Sequence, residues 1–257
     1  MQTKFLLFLL LFLHSSLLAQ RSREVQTQNH VWTSINSQIR LSERWGISAD
    51  VHIRRTDFLQ NNSFFLLRTG ALYYANSQLT LGAGYAHMWL ANQKDATELF
   101  SNENRLHQQV VLNQKLGTVQ LNQRLRIEER WIQKVVNFIP VAATRFTVRY
   151  RYQLSMIVPV SSNKKIPALA FADELMLQTG KDIVYNNFDQ NRVFAGIRQQ
   201  VTPSLSFDFG YMHVWQQKLS GYQYSRNHTI RLFFYWQPDW RKKKQDKQLP
   251  PDLHLPS

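Results

Sequence analysis

VQLNQRLRIEERW, Val119 to Trp131, is the stretch on which the fold turns. Its odd positions from Val119 to Ile127 are apolar or neutral, and its even positions read Gln120, Asn122, Arg124, Arg126, Glu128 and Arg130. Side chains two apart share one face of an extended strand, so the segment has one oily face and one face crowded with guanidinium groups. Such a strand must separate an apolar environment from a wet or hydrogen-bonded one.

Composition alone points elsewhere. With 31 Lys+Arg against 17 Asp+Glu, the chain has the charge of a nucleic-acid binder. The amino terminus argues against that. Lys4 precedes an apolar run from Phe5 to Leu13, followed by His14, Ser15, Ser16, Leu17, Leu18 and Ala19. That is the layout of a secretory signal peptide, expected to be cleaved after Ala19, and the apolar run is too short to span a bilayer as a helix. Removing residues 1–19 takes away Lys4 and leaves +14 − 1 = +13. An exported chain with its basic residues spread over alternate strand positions is not expected to bind nucleic acid.

The chain has no cysteine, so neither disulfide staples nor a lipid-modified cysteine is available to it. After the leader, no stretch approaches the length of a transmembrane helix. Exported candidates are therefore a soluble domain or a closed membrane barrel, whose strands alternate instead of being uniformly apolar.

The opening pattern recurs along the chain. Strands are expected near His30–Ser42, Ile47–Phe58, Ser63–Ala75, Leu79–Ala91, Arg105–Leu116, Val119–Ile132, Phe146–Val158, Ala168–Thr179, Arg192–Val201, Leu205–Gln217 and His228–Trp236. They are about twice the usual strand length and close to what a tilted bilayer-spanning strand needs. Tight connections at 43–46, 76–78, 117–118, 161–167 and 202–204 alternate with longer polar ones at 92–104, 133–145, 181–190 and 218–227. The expected fold is all-β: a single antiparallel up-and-down transmembrane barrel over residues 20–240, with a basic, disordered periplasmic tail at 241–257. Short turns in the periplasm and an even strand number require about twelve strands, the twelfth placed at Arg23–Asn29.

The inward face is expected to carry Arg40, Arg54, Arg68, Arg124, Arg126, Glu128, Arg130, Arg149, Arg151, Arg192, Arg198 and Arg231, together with Asp50, His52, Glu174 and Asp208. Outward candidates are aliphatic or aromatic, among them Ile35, Val51, Val110, Leu125, Leu154, Val193 and Phe209. An internal repeat aligns SQLTLGAGYAHMW (Ser77–Trp89) with PSLSFDFGYMHVW (Pro203–Trp215). Each copy puts Tyr, His and Trp on one face near a strand end. An aromatic girdle is accordingly expected from Trp32, Tyr85, Trp89, Trp131, Tyr211, Trp215 and Trp236. His87 and His213 lack partners at metal-ligand spacing, so no metal or other cofactor is expected.

HVWTSINSQIRLSERWGISADVHIRR (His30–Arg55), LTLGAGYAHMW (Leu79–Trp89), NENRLHQQ (Asn102–Gln109) and RLRIEERW (Arg124–Trp131) resemble the uncharacterised outer-membrane barrel proteins of Bacteroidota grouped as a domain of unknown function. The resemblance covers about residues 28 to 238 and implies a barrel in the outer membrane, with no reaction and no catalytic residues to carry over. The chain departs from it in its end: RKKKQDKQLPPDLHLPS follows Trp240, where such barrels finish on an aromatic residue of the last strand.

Function is expected from the lumen: a narrow, anion-preferring pore, with a non-conducting structural or partner-binding barrel as the alternative. A lipid-modifying enzyme is more remote. Ser48, Asp50 and His52 share a face, but residues two apart sit about 7 Å from each other along a strand and cannot form a hydrogen-bonded triad alone. Expected partners are outer-membrane lipids, lipopolysaccharide and small anionic solutes.

Overall fold

The computed structural model describes residues 22–94, 97–163 and 165–241. The expected signal segment and the tail beyond Arg241 lie outside the described residues. Eleven strands follow one another: β1 (Glu24–Arg40), β2 (Trp45–Thr56), β3 (Asn61–Tyr74), β4 (Leu79–Lys94), β5 (Thr97–Leu116), β6 (Val119–Val136), β7 (Ile139–Val158), β8 (Ala168–Thr179), β9 (Phe188–Thr202), β10 (Leu205–Gln217) and β11 (Gln223–Trp236). Each pairs antiparallel with the next, and β1 pairs with β11 to close a barrel.

The closing pair is parallel, from Glu24↔Gln223 to Ser37↔Trp236. This corrects two details of the expectation. Residues 24–29 form the first part of β1 and not a separate twelfth strand, and a parallel closure removes the need for an even count. The chain therefore enters β1 at one mouth, here the amino-terminal mouth, and leaves β11 at the other, the carboxy-terminal mouth. There the closure continues past the strands: Arg40 N–H donates to Pro238 O (3.1 Å) and Trp240 N–H to Arg40 O (2.9 Å).

Two of the polar stretches read as long loops are strand. Residues 92–94 and 97–104 continue the β4–β5 ladder out to Lys94↔Thr97. Residues 133–145 continue β6–β7 to a tight turn at Asn137 and Phe138, both at positive φ (49° and 67°), the geometry of the primed hairpin turns. The asymmetry between the mouths thus lies in β4 to β7, which project as long hairpins at the amino-terminal mouth, and not in loop length.

The internal repeat has a structural meaning. Gly84 faces Gly70 across β3–β4, and Gly210 faces Gly196 across β9–β10. A Cβ on Gly84 would lie 2.1 Å from Thr69 O, and one on Gly210 would lie 2.4 Å from Ala195 O. Only glycine permits two backbones to close up like this, so each repeat marks a sharp corner in the wall. Five strand-to-strand steps separate the corners on one side (β4 to β9) and four on the other (β10 through β1 to β3), so they lie opposite each other. Two broad walls face one another between them.

Strand pleating sorts the side chains. Ile35, Val51, Leu67, Leu106, Leu125, Leu154, Leu175, Val193, Phe209 and Ile230 stand on the outer surface, each at least 40 % exposed. The intervening positions point inward, where most of the buried charged residues of the chain are found.

Candidate functional site

Strand register stacks the inward residues in rows. One row runs Asp50–Arg68–Ala86–Arg105–Arg130–Thr147 across β2 to β7. The next runs Ser48–Gly70–Gly84–His107–Glu128–Arg149, and the next Gly46–Leu72–Gly82–Gln109–Arg126–Arg151. Directly opposed residues on a sheet lie about 5 Å apart, so alternating signs along and between the rows are bound to pair.

They form a continuous network on the β5–β9 wall. Glu103, 1 % exposed, accepts from Arg105 Nε and Arg130 Nε, both at 2.6 Å. Glu128 accepts from Arg149 Nε (2.9 Å) and Arg151 Nη1 (2.5 Å). Arg149 also reaches Asp189 at 3.0 Å. Glu174 joins Arg151 (2.6 Å), Arg124 (2.8 Å) and Arg192 (3.3 Å). Elsewhere Asp50 pairs with Arg68, and Asp208 with Arg198 (2.6 Å) and Arg231 (3.2 Å), the latter pair joined by the Tyr235 hydroxyl.

The structure places the predicted lumen residues as follows. Arg54, Arg126, Glu128, Arg149, Arg151 and Arg231 are buried inside. Arg124, Arg130 and Arg192 are partly buried members of the network, and Arg68 and Arg198 are the partly buried partners of Asp50 and Asp208. Arg40 sits at the carboxy-terminal mouth, donating to the carbonyls of Ser42 and Glu43 and stacked over Tyr74 at 4.3 Å. Glu103, Arg105 and Asp189 are interior residues the sequence reading missed. Arg105 shares the parity of His107 and Gln109 and was recoverable from it; Glu103 fell in a stretch taken for loop. Arg145, on the parity of Thr147 and Arg149, lines the cavity too, and among the described residues thirteen arginines do so, in excess of the carboxylates around them.

Among the described residues Arg54 has no carboxylate partner. Its guanidinium lies 3.4 Å from the centre of the Trp32 ring and 4.3 Å from that of Phe64, and Arg192 approaches Trp32 from 5.0 Å. Cation–π contact is worth about 2 kcal/mol or more when desolvated, so the aromatic faces replace an anion there. This corrects the placement of Trp32 in the girdle. It is 4 % exposed and packs inside against Ala170, Phe194, Met212 and Val214. The reason is the early start of β1: Trp32 lies well inside the strand on the inward parity of Ser34 and Asn36. The lumen is accordingly amphiphilic.

Tyr85, Trp89, Trp131, Tyr211, Trp215 and Trp236 stand on the outer face. Trp131 packs on Phe146 (5.3 Å) and Trp215 on Tyr224 (5.2 Å) toward the amino-terminal mouth, while Trp236 meets Trp240 (6.0 Å) at the other. Trp45 and Tyr73 (5.1 Å) extend the second ring. His87 and His213 also face outward, His87 bonded to Asn104 at 2.8 Å. Ser48 donates to Gly70 O (3.4 Å), Asp50 is held by Arg68, and His52 edges onto Phe233, so the three do not connect. Among the described residues no cluster of three or more His, Cys, Asp or Glu suits a metal ion.

A cavity of about 1280 Å³ threads these side chains and reaches the carboxy-terminal mouth, where Gln38, Asn113, Gln120, Asn122 and Gln153 line it. A family model described as "Protein of unknown function (DUF2490)" matches residues 29–226. The chain belongs to this family. Among curated proteins and solved structures, none matches it. The DUF2490 match covers both glycine corners and most of the arginine network, and ends within β11, short of the Arg231–Asp208 contact.

Proposed function

We infer that this DUF2490 chain is an outer-membrane β-barrel whose arginine-lined lumen forms a narrow, anion-preferring passage. Residues 1–19 have the pattern of an export signal, which supports delivery to a Gram-negative envelope. The observation that carries the reading is the opposition of the two faces. Soluble monomers rarely expose contiguous apolar surface on this scale, whereas an apolar band with aromatic rims suits acyl chains and headgroups. On β2 the outward residues from Trp45 to Arg55 span ten residue steps. At about 3.3 Å per residue and a tilt of about 40°, that is about 25 Å of bilayer depth, the height of the apolar band of such barrels. Lipids and lipopolysaccharide are the partners of the outer face, and small anions those of the inner one. No reaction is assigned to it. The projecting β4–β7 hairpins support an outward amino-terminal mouth and a periplasmic carboxy-terminal mouth.

A second reading, a non-conducting barrel with a basic vestibule, is favoured by the layer formed by Glu128, Arg149, Arg151 and Glu174. Their side chains are only 3–8 % exposed, which leaves little room at that depth. Planar bilayers decide between them. The pore reading expects small, anion-selective conductance that falls in the Arg124→Glu, Arg126→Glu variant; bilayers that stay silent with correctly folded protein refute it and leave the vestibule reading.

A further inference from the structure

Among the buried lumen groups whose bonding capacity no described residue meets, three line one stretch of the cavity. His52, 7 % exposed, has both ring nitrogens unpartnered; His107, 4 % exposed, has Nδ1 unpartnered. Arg126, 4 % exposed, donates to Gln109 through Nε and Nη2, but its Nη1 has no hydrogen-bond partner and lies 3.8 Å from Glu128. Native interiors rarely leave such groups unmet, and where they do, a ligand or ion is a standard explanation.

These groups share one cavity and one sign of field. Arg68, Arg54, Arg126 and Arg151 bring positive charge to bear on His52, and Arg126, Arg68 and Arg151 do so on His107, opposed by Glu128. The register places Gly84 beside His107 and Gly82 beside Gln109, which itself faces Arg126. The inner face of β4 thus carries no side chain beside His107 and Gln109, and the walls close up there until a Cβ on Gly84 would lie 2.8 Å from His107 Cε1. Water could meet the donors but would leave the surplus charge uncompensated. An oxyanion meets both needs.

The same cavity runs on to the carboxy-terminal mouth, and its walls change character there. Gln38, Gln120 and Gln153 line it with amides that bond to no other described residue, and the Asn122 amide bonds only Asn113 (2.7 Å). An amide donates and accepts at once, which suits hydroxyl groups and not a bare anion. The volume of about 1280 Å³ is ample for a sugar of one or two rings.

We propose that the lumen binds an anionic saccharide, its carboxylate or phosphate held by His52, His107 and Arg126 and its hydroxylated ring lying against the amides of the carboxy-terminal vestibule. The proposal rests on the anion-accepting lumen inferred above and names the class of solute.

The test is direct binding to the purified, folded full-length barrel in detergent, by calorimetry and by tryptophan emission, since Trp32 is the one tryptophan inside the lumen. The probes are glucuronate, glucose 6-phosphate, inorganic phosphate and maltose. Saturable binding of at least one of the two sugar anions is expected, about tenfold or more tighter than inorganic phosphate and with no binding of maltose. Whichever sugar anion binds identifies the head group as carboxylate or phosphate. Arg126→Gln should weaken it about tenfold or more, and Gln153→Leu with Gln120→Leu should erase the preference over inorganic phosphate. His107→Asn repeats the first test should Arg126→Gln not fold. Inorganic phosphate binding as tightly as both sugar anions, no saturable binding of either, or affinity unchanged in folded Arg126→Gln overturns the proposal. A barrel that conducts anions yet binds neither sugar refutes this site alone; one that binds a sugar anion while bilayers stay silent refutes only the pore.

Discussion

Replacing Gly84 by alanine tests whether the corners are what shape the lumen. An alanine Cβ at 84 would sit 2.1 Å from Thr69 O, 2.6 Å from Gly70 Cα and 2.8 Å from His107 Cε1. To reach an ordinary contact of about 3.4 Å, the Thr69 carbonyl would have to retreat by about 1.3 Å. Thr69 and Gly70 are locked in the β3–β4 ladder, so that retreat strains or breaks its hydrogen bonds. Overpacking of this kind costs about 1–3 kcal/mol, and a backbone obstacle puts Gly84→Ala at the upper end. Gly82→Ala on the same strand is the control. Its Cβ would meet Gln109 and Leu72 side chains at 3.0–3.1 Å, and their ends can swing aside, so a loss under about 1 kcal/mol is expected. Intrinsic preference alone predicts the opposite sign, because alanine in a strand is favoured over glycine by about 0.5–1 kcal/mol. Urea unfolding of the barrel in detergent or vesicles, followed by tryptophan fluorescence, gives the three stabilities. If Gly84→Ala is no less stable than Gly82→Ala, the corner argument fails.

Other consequences are equally open to measurement. Gly210→Ala, with its Cβ 2.4 Å from Ala195 O and 2.5 Å from Gly196 Cα, should lose as much as Gly84→Ala in the same unfolding assay. Glu128→Gln leaves Arg149 and Arg151 short of a buried counter-charge and should cost about 3–5 kcal/mol, read by the same denaturation midpoint; a change within experimental error would mean the network is wet and loosely held. Trp32→Leu keeps an apolar side chain against Phe194 and Val214 but removes the ring under Arg54 and leaves space behind, and should cost about 2 kcal/mol or more, with Trp32→Phe recovering part of it.

Much of the fold was legible because a barrel wall has only one period. The alternation in Val119–Trp131, and its return on strand after strand, fixed the all-β class and the inward side of Arg54, Arg126, Arg149 and Arg151. Strand ends were less legible, because the β4–β5 and β6–β7 hairpins run past the apolar band on polar residues such as Asn92, Glu98 and Gln133, which have the composition of loop. That error hid Glu103 and, through the late start assigned to β1, put Trp32 on the wrong face. The parallel β1–β11 seam leaves no mark in either strand's own pattern, since alternation is the same in both directions. The Gly-Tyr-x-His-x-Trp repeat was visible, but the partners that make it a corner, Gly70 and Gly196, belong to neighbouring strands and emerge only from register. Nor could the pairing of Glu128 and Glu174 with particular arginines be read from parity, which sets the face and not the neighbour.

The central claim is that the wall turns its aliphatic side to acyl chains and its cations inward, and the absence of native cysteine makes it directly measurable. Single cysteines at Leu121, Asn122, Arg124 and Leu125 of β6, in protein assembled in its own membrane, are offered a bilayer-soluble and a water-soluble maleimide. The account predicts bilayer-soluble labelling at 121 and 125 and water-soluble labelling at 122 and 124. The reverse assignment, or equal labelling of all four by the water-soluble reagent, contradicts it.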